Sequence, residues 1–362
     1  MKTFNYHKWE DAKWDNEIIE LISKLHEHKV RQEYFLKHDL HRLAEATKIR
    51  NTVASNKIED IIVNSVRCKQ LFAGQEPITE NEACMANYYK ALTLIEENYD
   101  TLPLSTETIC KLHAMLYPEN EGKYKQVDNC IVSVDCFGFQ RVIFRPLSSV
   151  ETPKAMENLI SEYEKVERYV DPLLLIPAFI DDFLCIHPFE DGNGRTSRLL
   201  TLLLLYKAGY MVGRYSSIDG EILRSVRSYY ASLREAQDGW HDGSNDPIGF
   251  IKYILFMILK CYEEFTLHMS LIEDLPAIEL VRKAFIIQEW LFKYEIMDIL
   301  PTVGKKSIEK ALKTLCDEGY IEKRGAGNRT FYALRPNHHP TNYPETAPKP
   351  VAKRRRKTYT KN

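Results

Sequence analysis

The chain of 362 residues has eight cysteines, at positions 68, 84, 110, 130, 136, 185, 261 and 316, but no Cys-x-x-Cys pair and no zinc-type spacing. A disulfide framework or a structural metal is therefore not expected, and the thiols read as reduced and mostly core. Long apolar runs are missing too: Leu199 to Tyr206, interrupted by Thr201, falls far short of the ~18 residues a membrane helix needs. The start from Met1 to Glu10 has no apolar leader segment, so the expected compartment is the cytoplasm and no membrane partner is expected. No Gly-x-x-x-x-Gly-Lys-Ser/Thr stretch occurs, which excludes a P-loop. A repeat of roughly 20 to 50 residues is also absent, which argues against a solenoid.

Net charge is nearly absent, at 49 basic against 51 acidic residues, but it is unevenly placed. Residues 281–335 hold 11 basic and 7 acidic residues, net +4, and residues 336–362 hold 7 and 1, net +6, which leaves −12 on the rest. Any nucleic-acid contact is expected at the basic C-terminal end.

What is present is mostly helix. Apolar residues recur at helical spacing from Asp15 to Arg50, and further helices are predicted from Thr79 to Asn98, from a Ser105 cap, and over 153–169, 172–186, 194–207, 220–236, 247–268 and 276–293. Two β-branched runs, 130–134 and 141–145, flank a turn at Gly138 and predict a β-hairpin. The order helix, helix, strand, turn, strand over 296–334, with 325–328 as the turn, resembles a winged helix-turn-helix, and 336–362 reads as a disordered basic tail.

The chemistry concentrates in twelve residues, His187-Pro188-Phe189-Glu190-Asp191-Gly192-Asn193-Gly194-Arg195-Thr196-Ser197-Arg198, set between two apolar helical segments. Pro188 disfavours helical geometry at His187 and leaves the imidazole at a mouth. Gly192 and Gly194 permit positive φ and close backbone approach, and the amides after them open the next helix, which makes an anion cradle. Arg195 and Arg198, three apart, can reach successive phosphates, and Asp191 can hold a divalent cation against them. Taken singly, each feature has a bland alternative: a structural or merely exposed histidine, an Asp-Gly-Asn-Gly turn, a solvated arginine face. Their coincidence describes a nucleoside triphosphate site with a base beside it.

The segment resembles the signature of Fic-domain proteins, His-Pro-Phe-x-Asp-Gly-Asn-Gly-Arg-x-x-Arg, at every specified position. Gly122-Lys123-Tyr124-Lys125 resembles the family's Gly-x-Tyr-Arg element, with Lys125 in place of Arg. The hairpin ending in Arg141-Val142-Ile143-Phe144-Arg145-Pro146 resembles its flap, and Tyr229-Tyr230 resembles an aromatic pair near the nucleotide. The resemblance implies a mainly α fold, a Fic helical core with a β-hairpin flap, and transfer of AMP from ATP to a Ser, Thr or Tyr hydroxyl of a protein, with the chain itself among the candidates. His187 would be the base, titrating near neutrality, and Asp191 would hold Mg²⁺. Gly192, Asn193, Gly194, Arg195, Thr196, Ser197, Arg198, Tyr229 and Tyr230 would bind the nucleotide, and Phe189 would pack beneath the loop. Kinase-like relatives carry Lys where this chain has Gly194, so Gly194 favours AMP transfer.

Thr52-Val53-Ala54-Ser55-Asn56-Lys57-Ile58-Glu59-Asp60 resembles the inhibitory motif Ser/Thr-x-x-x-Glu-Gly/Asn of such proteins, with Ser55 and Glu59 matching and Asp60 departing. The resemblance implies that Glu59 pairs with Arg198 and blocks productive γ-phosphate binding; the alternative is an i,i+4 surface charge. The expected organisation is an N-terminal helical region with the inhibitory motif (1–104), a catalytic domain (105–270), a winged-helix domain (276–335) and a tail (336–362). Two other functions stay open: a DNA-binding regulator, with duplex DNA met by Lys305, Lys306, Lys310 and Lys313, and an enzyme acting mainly to remove AMP. A homodimer is a further candidate assembly.

Overall fold

The structure, a computed structural model, describes residues 4–9, 12–134, 140–272, 275–287, 289–300, 303–325 and 330–335. The chain divides into two units, residues 1–273 and 274–362. The expected turn at Gly138, residues 326–328 of the second turn and the tail 336–362 lie outside the described residues.

The first unit is helical. Its elements are α1 (Asn16–Phe35), α2 (His41–Ile58), α3 (Ser65–Phe72), α4 (Glu80–Asn98), α5 (Thr106–Leu116), β1 (Ile131–Val134), β2 (Gln140–Phe144), α6 (Thr152–Val166), α7 (Pro172–Ile186), α8 (Asn193–Lys207), α9 (Ile218–Arg224), α10 (Val226–Gln237) and α11 (Ile248–Ile272). Several starts are fixed by side chains that take an otherwise orphaned amide: Asp15 caps α1, Thr79 α4, Ser105 α5 and Asp171 α7. Every residue of α7 from Leu173 to Ile186 is buried, as are those of α8 from Arg195 to Tyr206. Helices apolar all round belong at a domain centre. Accordingly α6, α8, α10 and α11 pack on α7, while α2, α4 and α5 pack on α8. The loop 187–192 joins the two central helices, so it is carried on the buried centre of the unit.

β1 and β2 pair antiparallel, with Ile131 opposite Phe144 and Val132 opposite Val142. Val132, Val142 and Ile143 are exposed, while Phe144 anchors the hairpin base by stacking on His241 at 5.5 Å. The stretch expected as one helix over 220–236 is two. α9 begins at the Ser217 cap, and the chain breaks at Ser225, whose N–H donates to Ile222 O at 3.1 Å.

The second unit contains α12 (Ala277–Ile287), β3 (Trp290–Phe292), α13 (Lys293–Ile299), α14 (Lys305–Asp317), β4 (Ile321–Arg324) and β5 (Phe331–Leu334), with strand order β3-β5-β4. The helix expected to run to Lys293 ends at Ile287, because Trp290–Phe292 pairs with β5 and turns Leu291 fully inward. Ile308, Ala311, Leu312 and Leu315 form the buried stripe of α14, and its lysines 305, 306, 310 and 313 are exposed. Among the described residues no helix is long and apolar enough to cross a membrane.

Candidate functional site

α7 ends at Ile186, and His187 takes φ 51°, the left-handed region, immediately before Pro188. Its N–H closes the helix on Phe183 O at 2.9 Å. Its Nδ1 lies 3.2 Å from Leu184 O, and since a carbonyl only accepts, Nδ1 carries the proton and Nε2 keeps the lone pair. Burial pushes the imidazole pKa down to about 4, with the Lys125 charge adding to it and Leu184 O, Glu59 and Asp191 opposing. The ring is thus neutral well below pH 7, a correction to the expectation of titration near neutrality.

Lys125 is buried behind this residue. Its Nζ donates to Ile186 O at 3.0 Å and to Asn129 Oδ1 at 3.1 Å, and its N–H donates to Pro188 O at 2.9 Å. Burial pushes its pKa down to about 8. The lysine therefore caps the C-terminal end of α7 and ties down the loop that carries His187.

Phe189 is fully buried and stacks on His113, centroids 3.7 Å apart and planes within 6°. The side chain of Asn193 is consumed within the loop, accepting from Phe189 N–H at 3.0 Å and donating to Phe189 O at 2.8 Å. Asn193 thus braces the turn and offers a ligand only its amide. Gly192 has φ 77°, and a Cβ there would sit 2.3 Å from Tyr117 Cε2. Gly194, in contrast to the positive φ expected of it, is helical; a Cβ there would sit 2.4 Å from Glu59 Oε1, so the carboxylate lies where a larger residue would push it aside. Thr196 and Ser197 are fully buried, and the Ser197 hydroxyl donates back to Gly194 O at 2.7 Å, so neither hydroxyl faces the loop opening. The first amides of α8 have no carbonyl one turn back and point out of the helix start, as an anion nest requires.

Arg198 is buried and triply held. Its Nε donates to Ser55 Oγ at 2.7 Å, and its Nη2 donates to Ser55 O at 3.0 Å and to Glu59 Oε1 at 2.8 Å. Burial disfavours the guanidinium charge, but Glu59, Tyr229 and Asp219 outweigh it and push the pKa up. The Glu59 carboxylate therefore lies both on Arg198 and against Gly194 at the helix start, where an anion would sit.

α2 delivers Glu59 through its C-terminal end. Ile61 N–H bonds back to Asn56 O at 3.0 Å and Asp60 N–H to Lys57 O at 3.2 Å, a Schellman closure. Asp60 occupies its left-handed position with φ 58°. Gly and Asn are the residues most at ease there, and Asp tolerates it, so the departure from the motif keeps the same backbone.

Arg195 takes a different course. It is 2% exposed, donates to Asn56 Oδ1 at 3.4 Å and to the Tyr117 hydroxyl, and its guanidinium lies over the Tyr117 ring at 4.8 Å. Asp191 is exposed at the top of the loop, accepting from Gly192 N–H at 2.6 Å and from the Tyr117 hydroxyl at 2.5 Å. One carboxylate beside a phosphate nest suits Mg²⁺, which takes one or two carboxylates and fills its remaining positions with phosphate oxygens and water. Among the described residues no group of three or more His, Cys, Asp or Glu side chains forms a self-sufficient metal cage.

Tyr229 is buried and Tyr230 half-exposed, with ring centroids 5.2 Å apart. Tyr229 reaches the Arg198 environment, and both hydroxyls are pushed up in pKa mainly by burial. Sequence reasoning missed four residues. Tyr88 donates to Asp219 Oδ2 at 2.9 Å beneath Arg198, and burial pushes the Asp219 carboxyl up to about 6 against the pull of Arg198. His113 Nε2 donates to Asp191 O at 3.0 Å, and Tyr117 stacks on His113. For the last two a signal exists, an aromatic pair at i and i+4 straddling the C-terminal end of the short α5; for Tyr88 and Asp219 only packing reveals the role.

Residues 103–205 match the family model described as the Fic/DOC family. Over 101 residues the chain is 32% identical to a probable protein adenylyltransferase of Aquifex aeolicus, covering 27% of this chain and 29% of that protein. Over 137 residues it is 26% identical to a Fido domain-containing protein of Dictyostelium discoideum, covering 38% of this chain and 90% of that protein. It shares its fold with a crystal structure of a Fic family protein from Desulfovibrio desulfuricans G20, with a TM-score of 0.60 and 19% identity over 90% of this chain and 98% of that one. The chain spans less than a third of the length of two of the curated relatives that it matches.

Proposed function

Because this chain carries a Fic domain of the Fic/DOC family, we propose that it is a protein adenylyltransferase held off by its own Glu59. The observation that carries the reading is the Glu59 carboxylate lying on Arg198 and against Gly194, in a nest built for an anion. A carboxylate held there stands in for a phosphate and marks where the triphosphate lies.

His187 Nε2 takes the proton of an incoming hydroxyl, and the hydroxyl oxygen bonds to the α-phosphorus as the bond to the bridging oxygen breaks and pyrophosphate leaves. The imidazole, kept neutral by its buried setting, is ready to accept that proton. The amides at Asn193 and Gly194 stabilise charge on the α-phosphate, and Arg195 and Arg198 bind the outer phosphates. Asp191 would hold Mg²⁺, which supplies charge neutralisation on the phosphates. The exposed hairpin β1–β2 offers a strand edge on which a target segment can lie. When the outer phosphate needs Arg198, Glu59 competes for the same guanidinium. For the second unit, the order α12, β3, α13, α14, β4, β5 supports a winged helix, and an experimental structure without β3–β5 pairing would remove that reading.

The test is intact-mass measurement after incubation with ATP and Mg²⁺, on the chain and on Glu59→Gly. A mass gain of one AMP, larger in the variant, is the expected result. A gain of one phosphate, or none in either protein, overturns the reading.

A further inference from the structure

Asp191 and Arg195 stand four apart across the start of α8, the spacing at which opposite charges usually pair directly. Here they do not. The Tyr117 hydroxyl lies between them, donating to Asp191 Oδ2 at 2.5 Å and accepting from Arg195 Nη2. Arg195 is 2% exposed, and among the described residues it has no carboxylate partner; its Nε is buried without a hydrogen bond. A buried guanidinium that ends on a hydroxyl and an amide oxygen keeps its charge for a ligand.

The placement of Tyr117 is over-determined. Its ring stacks on His113 at 5.3 Å, His113 stacks on the buried Phe189, and His113 Nε2 fixes Asp191 O. Arg195 covers its face, and Gly192 is bare because the ring passes where a Cβ would be. A pile of three rings thus rises from the core and ends in one hydroxyl set between two opposite charges.

We propose that Tyr117 is a positioning residue whose hydroxyl keeps Asp191 and Arg195 from neutralising each other, so that one stays available to a divalent cation and the other to phosphate. The inference deepens the adenylyltransferase reading and rests on it. With the hydroxyl gone, the two side chains close into a direct ion pair, and both ligands lose a partner together. A tyrosine serving only as packing would leave both affinities alone, because phenylalanine keeps the ring pile.

The experiment measures Mn²⁺ binding by paramagnetic resonance, with a non-hydrolysable ATP analogue present, and analogue binding by calorimetry. Thermal melts check that Tyr117→Phe is folded. Tyr117→Phe is expected to weaken both Mn²⁺ and the analogue by roughly tenfold, the scale of losing an outer-shell partner. Adding Arg195→Gln to Tyr117→Phe is expected to restore Mn²⁺ affinity but not analogue affinity, since no guanidinium is left to capture Asp191. Unchanged affinities in Tyr117→Phe, or no Mn²⁺ rescue in the double variant, overturn the proposal. These readouts do not depend on AMP transfer. If Asp191→Ala leaves Mn²⁺ binding unchanged, the assignment of Asp191 as the metal residue fails, and the role of Tyr117 toward the cation fails with it.

Discussion

Arg195 and Arg198 leave one helix a turn apart, both buried, and meet opposite surroundings. Arg198 is held by Ser55, faced by Asp219 and closed over by Glu59, so its charge is already answered from within the chain. Arg195 ends on Asn56 and Tyr117, and the Tyr117 hydroxyl stands between it and Asp191. In the proposed mechanism, one phosphate-binding position is filled by a removable stand-in while the other is kept open. On that proposal the site would be assembled but idle, its resting state set by a single carboxylate at the end of α2.

Further measurements bear on that contrast. The largest effect is expected from His187→Ala, which leaves both arginine environments untouched while removing the base. AMP transfer in the Glu59→Gly background should fall by roughly 10²- to 10⁴-fold, with ATP affinity within about twofold of the parent. A comparable loss of ATP affinity would show that the loop, and not the base alone, had been damaged. Next, Glu59→Gly should raise transfer by roughly ten- to a hundredfold, the equivalent of one charge-assisted hydrogen bond, without changing the Arg195 side.

The pH response separates the sides in another way. In the proposed mechanism the neutral form of His187 is the active one, and burial lowers its pKa to about 4, so transfer should lose no base between pH 8 and 5 and should decline only as pH approaches about 4. Removing Glu59, which pulls that pKa up, should move the decline lower still. Stability follows the same sign. His187 and His268 are both depressed to about 4 by burial, so below the ordinary histidine value of about 6.5 the unfolded chain binds the extra protons. The melting temperature should therefore fall as pH drops from about 6.5 toward 4 and should be flat above that window from this source, with His187→Ala shallower.

The smallest effect is expected at Asp60. Asp60→Gly removes a side chain from a left-handed position and a carboxylate from a helix C-terminus, and should stabilise by up to about 1 kcal/mol, read from denaturant midpoints. It should also tighten the Glu59 closure and lower basal transfer slightly. Destabilisation would mean that the Asp60 carboxylate has a partner that matters.

Much of the helical core was legible because α7 and α8 carry apolar residues on every face and the caps at Thr79 and Ser105 state their own positions. The site loop was legible because its chemistry is contiguous in sequence. What was not legible was contact across distance. The Glu59–Arg198 pair, which the family resemblance implied, is the exception. That Asn193 spends its side chain on Phe189, that Gly194 lies against Glu59, and that Tyr88 and Asp219 sit beneath Arg198 are facts about neighbours far apart in sequence or about which way a buried side chain turns. The strand Trp290–Phe292 was read as helix because a three-residue apolar run has no period of its own; pairing with β5 decided it.

The amino-acid order alone determined which residues form the loop and the helix it opens, because backbone propensity and the Pro and Gly positions act locally. Only the tertiary structure decided what each charge meets. It set Glu59 against Gly194 and Tyr117 between Asp191 and Arg195, because electrostatic energy depends on distances of a few ångströms that no local rule fixes.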